Sequence, residues 1–376
     1  MTEITFTNTM QTFPQELLSE IFWHCVQVYH RYDSPTSVVP VGYVTRSALC
    51  APLLLGRVCS RWRTTSISTP KIWTSIVIGV YERNIPSNYS LEKDMEATTV
   101  WVNRSGTRPL SFHIHLFGRP IDESGVTILG VLGLVVSQSW RWKTLRTSIL
   151  TKFMKTLLAP LREGNAPKLE NFCCTQRGDS SGFGRHPFTL SSVPRLERLY
   201  MIDVPIDMVF GDQMHHHHLI DIRLAEFGNL SLEDLFRCLT QCPSLERLYL
   251  TMCKFTAIAL ENILPANIEL PHLHTLNLGM FATADPCLLF DRIILPSLTT
   301  LKFSLIRSSK SEWPHLLSML KRSRPPLVSL CLYGIPMTER TLVECFSYMP
   351  KLTVLAYNRI DCSDITLAAL SRQCRG

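Results

Sequence analysis

One short phrase, Pro-x-Leu-x-x-Leu-x-Leu, recurs through the second half of the chain, and no other feature restricts the fold as strongly. It stands as Pro194-Arg195-Leu196-Glu197-Arg198-Leu199-Tyr200 and as Pro243-Ser244-Leu245-Glu246-Arg247-Leu248-Tyr249-Leu250. It returns around Pro271, Leu273, Leu276 and Leu278, around Pro296, Leu298, Leu301 and Phe303, and around Pro326, Leu327, Leu330 and Leu332. A further copy has Pro350, Leu352 and Leu355, and a weaker one Pro167, Leu169 and Phe172. One copy has His217 in the proline position, followed by Leu219, Ile222 and Leu224. Successive copies are 23 to 30 residues apart. A unit of that size cannot bury its apolar face alone, so neighbouring units must stack.

Between the phrases lie stretches with helical spacing of apolar residues: Ser231–Leu239, Pro314–Leu320, Thr338–Phe346 and, at the end, Ser363–Leu370. Each unit therefore reads as a short strand followed by a helix, the signature of leucine-rich repeats. The expected fold class is α/β, with residues 166–376 forming an irregular leucine-rich-repeat solenoid, a horseshoe or arc with its strands on the concave side. Side chains alternate across a strand, so the leucines point inward and the residues between them face outward. Those outward positions include Arg198, Tyr200, Asp221, Arg223, Arg247, Tyr249, Asn277, Lys302 and Asn358. Arginine and aromatic residues dominate interface hot spots, which makes this row the candidate target-binding surface.

Residues 77–165 read as an irregular linker with degenerate first repeats. Strands are expected at Ser75–Ile78 and Pro109–Ile114, and an early repeat at Trp140–Leu145. The apolar run Gly125–Val136 is too short to span a bilayer and reads as a buried helix.

The first eighty residues have a different grammar. Thr12 and Gln15 form a candidate capping box with Pro14 in the first turn. Leu17, Leu18, Ile21, Phe22 and Cys25 then make one wide apolar helix face. After a polar stretch at about 29–50, a second helix is expected from near Pro52, with Leu54, Leu55, Val58, Cys59 and Trp62 on one side. Thr64–Thr69 reads as a break, and Pro70 as the start of a turn bearing Ile72 and Trp73.

Three blocks in this order carry a family resemblance: Phe13-Pro14-x-Glu16-Leu17-Leu18-x-x-Ile21-Phe22, then Leu55-x-x-Val58-Cys59-x-x-Trp62-Arg63, then Pro70-x-Ile72-Trp73. Residues 10–76 thereby resemble the F-box, with Phe13 where the motif usually has Leu and a long insert between the first two helices. The later block Trp101-Val102-x-Arg104-Ser105-Gly106-x-Arg108-Pro109-Leu110 is similar to one that precedes the repeats in fungal F-box proteins. The resemblance implies a helical module that docks onto a Skp1 homologue and, through it, a cullin–RING ubiquitin ligase. It assigns Phe13, Pro14, Leu17, Leu18, Ile21 and Phe22 as candidate anchors, with Val58 and Trp62 supporting them. The implied function is substrate receptor of an SCF-type ligase, the repeats binding a protein target. The alternative is a Skp1-binding or purely repeat-based scaffold without a role in ubiquitin transfer.

Other chemistry is poorly supported by the residues. The start of the chain has neither the basic nor the apolar region of a signal peptide, so the 13 cysteines read as reduced thiols in the cytoplasm or nucleus, and the Asn-X-Ser sequons as unused. A net charge of +7 without a dense basic stripe gives no case for nucleic acid, and no membrane span is expected. The four histidines His215–His218 are adjacent and lack partner cysteines at metal spacing. Gly178-Asp179-Ser180-Ser181-Gly182 has no positioned base to activate a serine, and Gly182-Phe183-Gly184 is too short for a phosphate loop. The expectation is a non-catalytic protein with no cofactor and no metal.

Overall fold

The computed structural model describes residues 13–27, 49–79, 90–116, 125–176, 186–202, 204, 206–209, 216–225, 228–256, 267–281, 287–306, 313–358 and 363–373. Thr12, most of the insert, His215 and the glycine-rich stretch 177–185 lie outside them. The chain divides into two compact units, Met1–Ile149 and Leu150–Gly376.

The first unit opens with helix α1 (Gln15–Gln27), a 3-10 turn at Leu55–Arg57, helix α2 (Ser60–Ile67) and a second 3-10 turn at Pro70–Trp73. The expected start of the second helix near Pro52 is eight residues too early: residues 51–54 are turns, and Cys59 caps α2 by accepting from the Trp62 N–H at 3.4 Å. The expected break at Thr64–Thr69 begins only at Ser68, because α2 runs to Ile67. Its hydroxyls bond the helix's own carbonyls, Ser66 Oγ to Arg63 O at 2.9 Å and Thr69 Oγ1 to Thr65 O at 2.6 Å. Side-chain hydroxyls satisfied in this way need not interrupt a helix.

Strand β1 (Ser75–Gly79), helix α3 (Leu91–Arg104), strand β2 (Leu110–His115), helix α4 (Val126–Val136) and strand β3 (Trp142–Ile149) follow. The three strands pair in parallel, with Ile76 beside Phe112 and Phe112 beside Leu145. Among the described residues from Ser75 to Ile149 strands and helices alternate, and isoleucine and phenylalanine stand at strand positions where the later repeats have leucine. Helix α4 buries only one stripe, Ile128, Val131, Leu132 and Val135, and exposes Val126 and Leu129, so it is not buried all round.

The Trp101–Leu110 block acts as a clasp at the end of α3. Trp101 meets Trp73 edge-on at 5.2 Å, and the Arg104 guanidinium lies 4.5 Å from the Trp73 ring centre. Gly106 takes a φ of +60° just past the helix end. Arg141, buried, donates to Ser105 Oγ at 3.1 Å and to the carbonyls of Val102 and Arg108 at 3.2 Å, and also to Gly106 O. One guanidinium from the next strand–helix unit thereby satisfies carbonyls that a helix C-terminus leaves open.

The second unit begins with helix α5 (Thr151–Arg162) and continues through β4 (Asn171–Gln176), β5 (His186–Thr189), β6 (Arg198–Ile202), β7 (Ile206–Val209), β8 (Asp221–Ala225) and β9 (Gly228–Ser231). Helix α6 (Leu232–Gln241), β10 (Arg247–Thr256), β11 (Ile268–Glu269), β12 (Thr275–Phe281), α7 (Cys287–Arg292), β13 (Ile293–Ile294) and β14 (Thr300–Ile306) come next. Helix α8 (His315–Ser323), β15 (Ser329–Tyr333), α9 (Glu339–Phe346), β16 (Val354–Tyr357) and α10 (Asp364–Gln373) complete it. Strands β4, β6, β8, β10, β12, β14, β15 and β16 form a parallel ladder in chain order. Leu199, Ile222, Leu248, Leu276, Leu301 and Leu330 stand in one row of that ladder, all of them buried. The fold is mixed α/β, a long parallel sheet with helices, consistent with a repeat solenoid.

The backbone explains the recurring phrase. Leu196 N–H bonds Val193 O at 3.0 Å and Leu245 N–H bonds Cys242 O at 3.1 Å, so Pro194 and Pro243 occupy the second position of a tight turn. Proline suits that position because its φ is preset and no N–H is needed there. At His217 the backbone N–H instead donates to Gln241 O at 2.7 Å, a bond that proline could not make. After each turn one carbonyl receives two N–H groups of the next repeat: Glu197 O from Ile220 and Asp221, Ile220 O from Glu246 and Arg247, Glu246 O from His274 and Thr275.

The expected helices at residues 231–239, 314–320, 338–346 and 363–370 are present as α6, α8, α9 and α10. Among the described residues between β4 and β8 the segments outside the ladder include the short strands β5 and β7, which pair with each other, and a 3-10 turn at Leu190–Ser192. His186-Pro187-Phe188-Thr189 contains a proline that a helix interior would reject, and Phe188 stacks on Phe172 at 5.7 Å. At Gly334 the φ is +68° and an added Cβ would lie 2.3 Å from Leu305 O, so only glycine fits that strand end.

Candidate functional site

Two surfaces stand out, one in each unit. In the first unit, α1 is tied down along one side by polar contacts. Gln15 Nε2 donates to Ser68 Oγ at 3.2 Å, the Ser19 and Thr69 hydroxyls bond at 2.9 Å, Lys71 pairs with Glu20, and Arg61 donates to Phe13 O. The Lys71 ammonium holds the Glu20 carboxyl below its usual range. Leu18, Phe22 and Val26 point into the interior, where the Phe22 ring lies 5.0 Å from that of Trp62.

The opposite side of α1 is apolar and open. Leu17 is 51% exposed and Ile21 44%, on the same helical stripe as exposed Pro14. Val58, just before α2, is 56% exposed. Of the expected anchors, Pro14, Leu17, Ile21 and Val58 are available to a partner and Phe13 is half-buried. Leu18 and Phe22 are not available: with 1% and 0% exposure they are core residues, and their contribution goes to holding α1 in place. Trp62, half-buried against Phe22, supports that core. Leu54, expected on one side of the second helix with Leu55, Val58, Cys59 and Trp62, lies in a turn and is exposed.

In the second unit the residues between the leucines gather around Asp221. Adjacent strands place Arg198, Asp221 and Arg247 in one row and Tyr200, Arg223 and Tyr249 in the next. The Asp221 side chain is 1% exposed, yet it carries four polar contacts. It accepts from Tyr200 Oη at 3.0 Å, from Arg223 Nε at 3.0 Å and Nη2 at 3.2 Å, and from Arg247 Nε at 2.8 Å. The Arg223 guanidinium also lies over both tyrosine rings, 4.2 Å from the centre of Tyr249 and 5.1 Å from that of Tyr200. Burial, then the Asp221 charge, pushes the Tyr200 phenol up to about 12, and the bond to Asp221 raises Arg247 further.

A buried carboxylate is costly unless charge and hydrogen bonds compensate it, and here two guanidinium groups and a phenol do so. The arrangement fixes planar, donor-rich side chains in set orientations on the sheet. Arg198 stands beside the cluster, its guanidinium 3.0 Å from Asn171 Oδ1 and 39% exposed. Asn277 is half-buried next to Tyr249 in the ladder, and Lys302, exposed, lies 5.8 Å from the Tyr333 ring centre. Asn358 is exposed; its Oδ1 accepts the Gly334 N–H at 2.6 Å and its backbone N–H donates to Leu332 O at 3.1 Å, which extends the ladder past β16. The hub role of Asp221 becomes legible only when the repeats are aligned and Arg198, Asp221 and Arg247 fall in one column.

His216 and His218 are exposed whereas His217 is buried, and among the described residues no group of three or more His, Cys, Asp or Glu could hold a metal ion. No helix among the described residues is long and apolar enough to cross a membrane. Cys25, Cys50, Cys59, Cys174, Cys238, Cys242, Cys331 and Cys345 are not in disulfides. No protein-family model matches the chain, and no curated protein matches it.

Proposed function

We propose that the chain is the substrate receptor of an SCF-type ubiquitin ligase, its N-terminal helices docking a Skp1 homologue and its repeat sheet holding a protein target. The observation that carries the reading is the open apolar stripe of Pro14, Leu17 and Ile21, with Val58 nearby in the motif order that resembles an F-box. Each large apolar side chain withdrawn from water is worth about 1.5–3 kcal/mol, so three or four suffice as anchors. The receptor acts by proximity, raising the effective concentration of the target near the ligase, and needs no catalytic group or cofactor of its own. Its place of action is the cytoplasm or nucleus, with partners that are proteins rather than nucleic acid or membrane.

Co-purification with a Skp1 homologue and a cullin tests this. The wild-type chain should retain both, and a Leu17→Ala plus Ile21→Ala variant should lose them while keeping its far-UV circular dichroism. Equal retention by the two chains, or none by a folded wild type, removes the F-box from the reading. Retention of Skp1 without cullin favours a scaffold.

A further inference from the structure

We infer that the surface formed by the 3-10 turn at Leu55–Arg57 and helix α2 docks an acidic segment of the Skp1 homologue, apolar side chains of that segment covering Leu54, Val58 and Ile67 while its carboxylates meet Arg57 and Arg63. This surface belongs to the module that the proposed function assigns to a Skp1 homologue, so the inference rests on that reading and adds the chemistry of the face the partner must present.

Geometry and charge carry it together. Leu54 is 41% exposed, Val58 56% and Ile67 44%, three aliphatic side chains that the interior does not use. Arg63 joins them into one patch: its Nε donates to Gly56 O at 2.9 Å, beside Arg57 and Val58, and Ile67 stands one helical turn further along α2. Arg57 and Arg63 are exposed, and neither pairs with a carboxylate among the described residues. The module has little acid of its own to offer them. Residues 34–81 contain five basic residues, Arg46, Arg57, Arg61, Arg63 and Lys71, and no Asp or Glu. Of the acids on α1, Glu20 is committed to Lys71, which leaves Glu16. The positive excess is therefore not cancelled from within, and an acidic partner removes it. Charges on the rim of an interface set the rate of encounter and the choice of partner. The exposed aliphatic groups then set the class. A single-stranded nucleic acid binds by stacking its bases on aromatic rings, and Leu54, Val58 and Ile67 give it none, whereas a polypeptide brings carboxylates and apolar side chains together.

The test measures association and dissociation rates of the full chain with a purified Skp1 homologue at about 0.05 M and about 0.5 M salt, where exposed charges are weakly and strongly screened. The wild type should associate more slowly at high salt. Arg57→Met and Arg63→Met should each slow association at low salt by about threefold, and Arg57→Glu with Arg63→Glu by about tenfold or more, with a flatter salt dependence. Arg57→Lys, which keeps the charge, should associate as the wild type does. Leu54→Ala with Ile67→Ala should instead speed dissociation, by about tenfold. Arg57 makes no side-chain hydrogen bond among the described residues, so its variants leave the fold alone, and far-UV circular dichroism checks the Arg63 variants, which lose the bond to Gly56 O. Lys93→Met, which removes one positive charge from an exposed position of α3, should change association by less than about twofold. Binding that ignores salt, or Arg57 and Arg63 variants that associate at the wild-type rate, overturns this inference and leaves the docking itself standing. Equal slowing by Lys93→Met, or tighter binding of a single-stranded oligonucleotide that is lost on Arg57→Met, overturns it as well. No binding by a folded wild type at either salt concentration removes the docking, and this inference with it.

Discussion

The outward stripe of α1 and the leucine row of the second unit are both made of aliphatic side chains, but they answer to different demands. Leu301 and Leu330 are wholly buried between neighbouring repeats, and the fold would not close without them. Leu17 and Ile21 stand half in water while their neighbours Leu18 and Phe22 do the packing. An aliphatic residue that folding does not require, repeated along one helical stripe, is what a partner surface needs. The same distinction separates polar groups. Glu20 and Lys71 pair in the open, whereas Asp221 is buried and held by three side chains.

The strongest challenge to this contrast is truncation of the second unit's interior. Trp313 is 1% exposed and packs on Phe290 and Phe303 at 4.8 and 5.0 Å, so Trp313→Ala should cost about 3–5 kcal/mol in urea unfolding. A cost near zero would mean that the interior is not what holds the repeats.

Acid should sharpen the contrast from the other unit. Burial, and then the Arg146 charge, lower the His115 imidazole to about 4. The unfolded chain then binds a proton near pH 6.5 that the folded chain refuses until about pH 4, so stability falls as pH drops through that window. The loss should reach about 3 kcal/mol, full below pH 4 and absent above about 6.5. His115→Gln should flatten that slope in denaturant titrations across the window; an unchanged slope would clear His115 of the effect.

His217→Pro gives a smaller effect. It imposes the usual proline of the phrase but deletes the N–H that bonds Gln241 O, leaving that buried carbonyl short of a partner for about 1–3 kcal/mol. A gain in melting temperature instead would show that the turn preference outweighs the bond. The smallest effect belongs to Leu17→Ala with Ile21→Ala, which should move the unfolding midpoint by no more than about 1 kcal/mol while abolishing Skp1 retention. A large destabilisation would mean that the stripe is part of the fold after all.

Much of the second unit was legible because leucine and proline recur where the backbone repeats itself, and the row from Leu199 to Leu330 follows directly from the phrase. The first unit was harder to read. Ile76, Phe112 and Leu145 occupy equivalent rungs, but their varied identities hide the period. Pro52, Leu54 and Leu55 imitate a helix start, and only the tertiary fold makes them a turn. A helix as broadly apolar as α1 does not disclose which of Leu17 and Leu18 faces inward. That Asn358 also continues the ladder, through Gly334 and Leu332, is not legible in one dimension, where it looks like any other polar residue beside a strand.

The ladder has a consequence of scale. Parallel strands lie about 4.8 Å apart, while side chains on one face of an extended peptide recur about every 6.8 Å. A segment laid across the strands therefore cannot match every rung. Like the two scales of a vernier, the spacings come back nearly into step only when four residue steps of the peptide, about 13.6 Å, meet three strand-to-strand spacings, about 14.4 Å. Contacts on this face must be sparse: a ligand would grip one column firmly, pass over the next, and owe its selectivity to the interval between its anchoring residues.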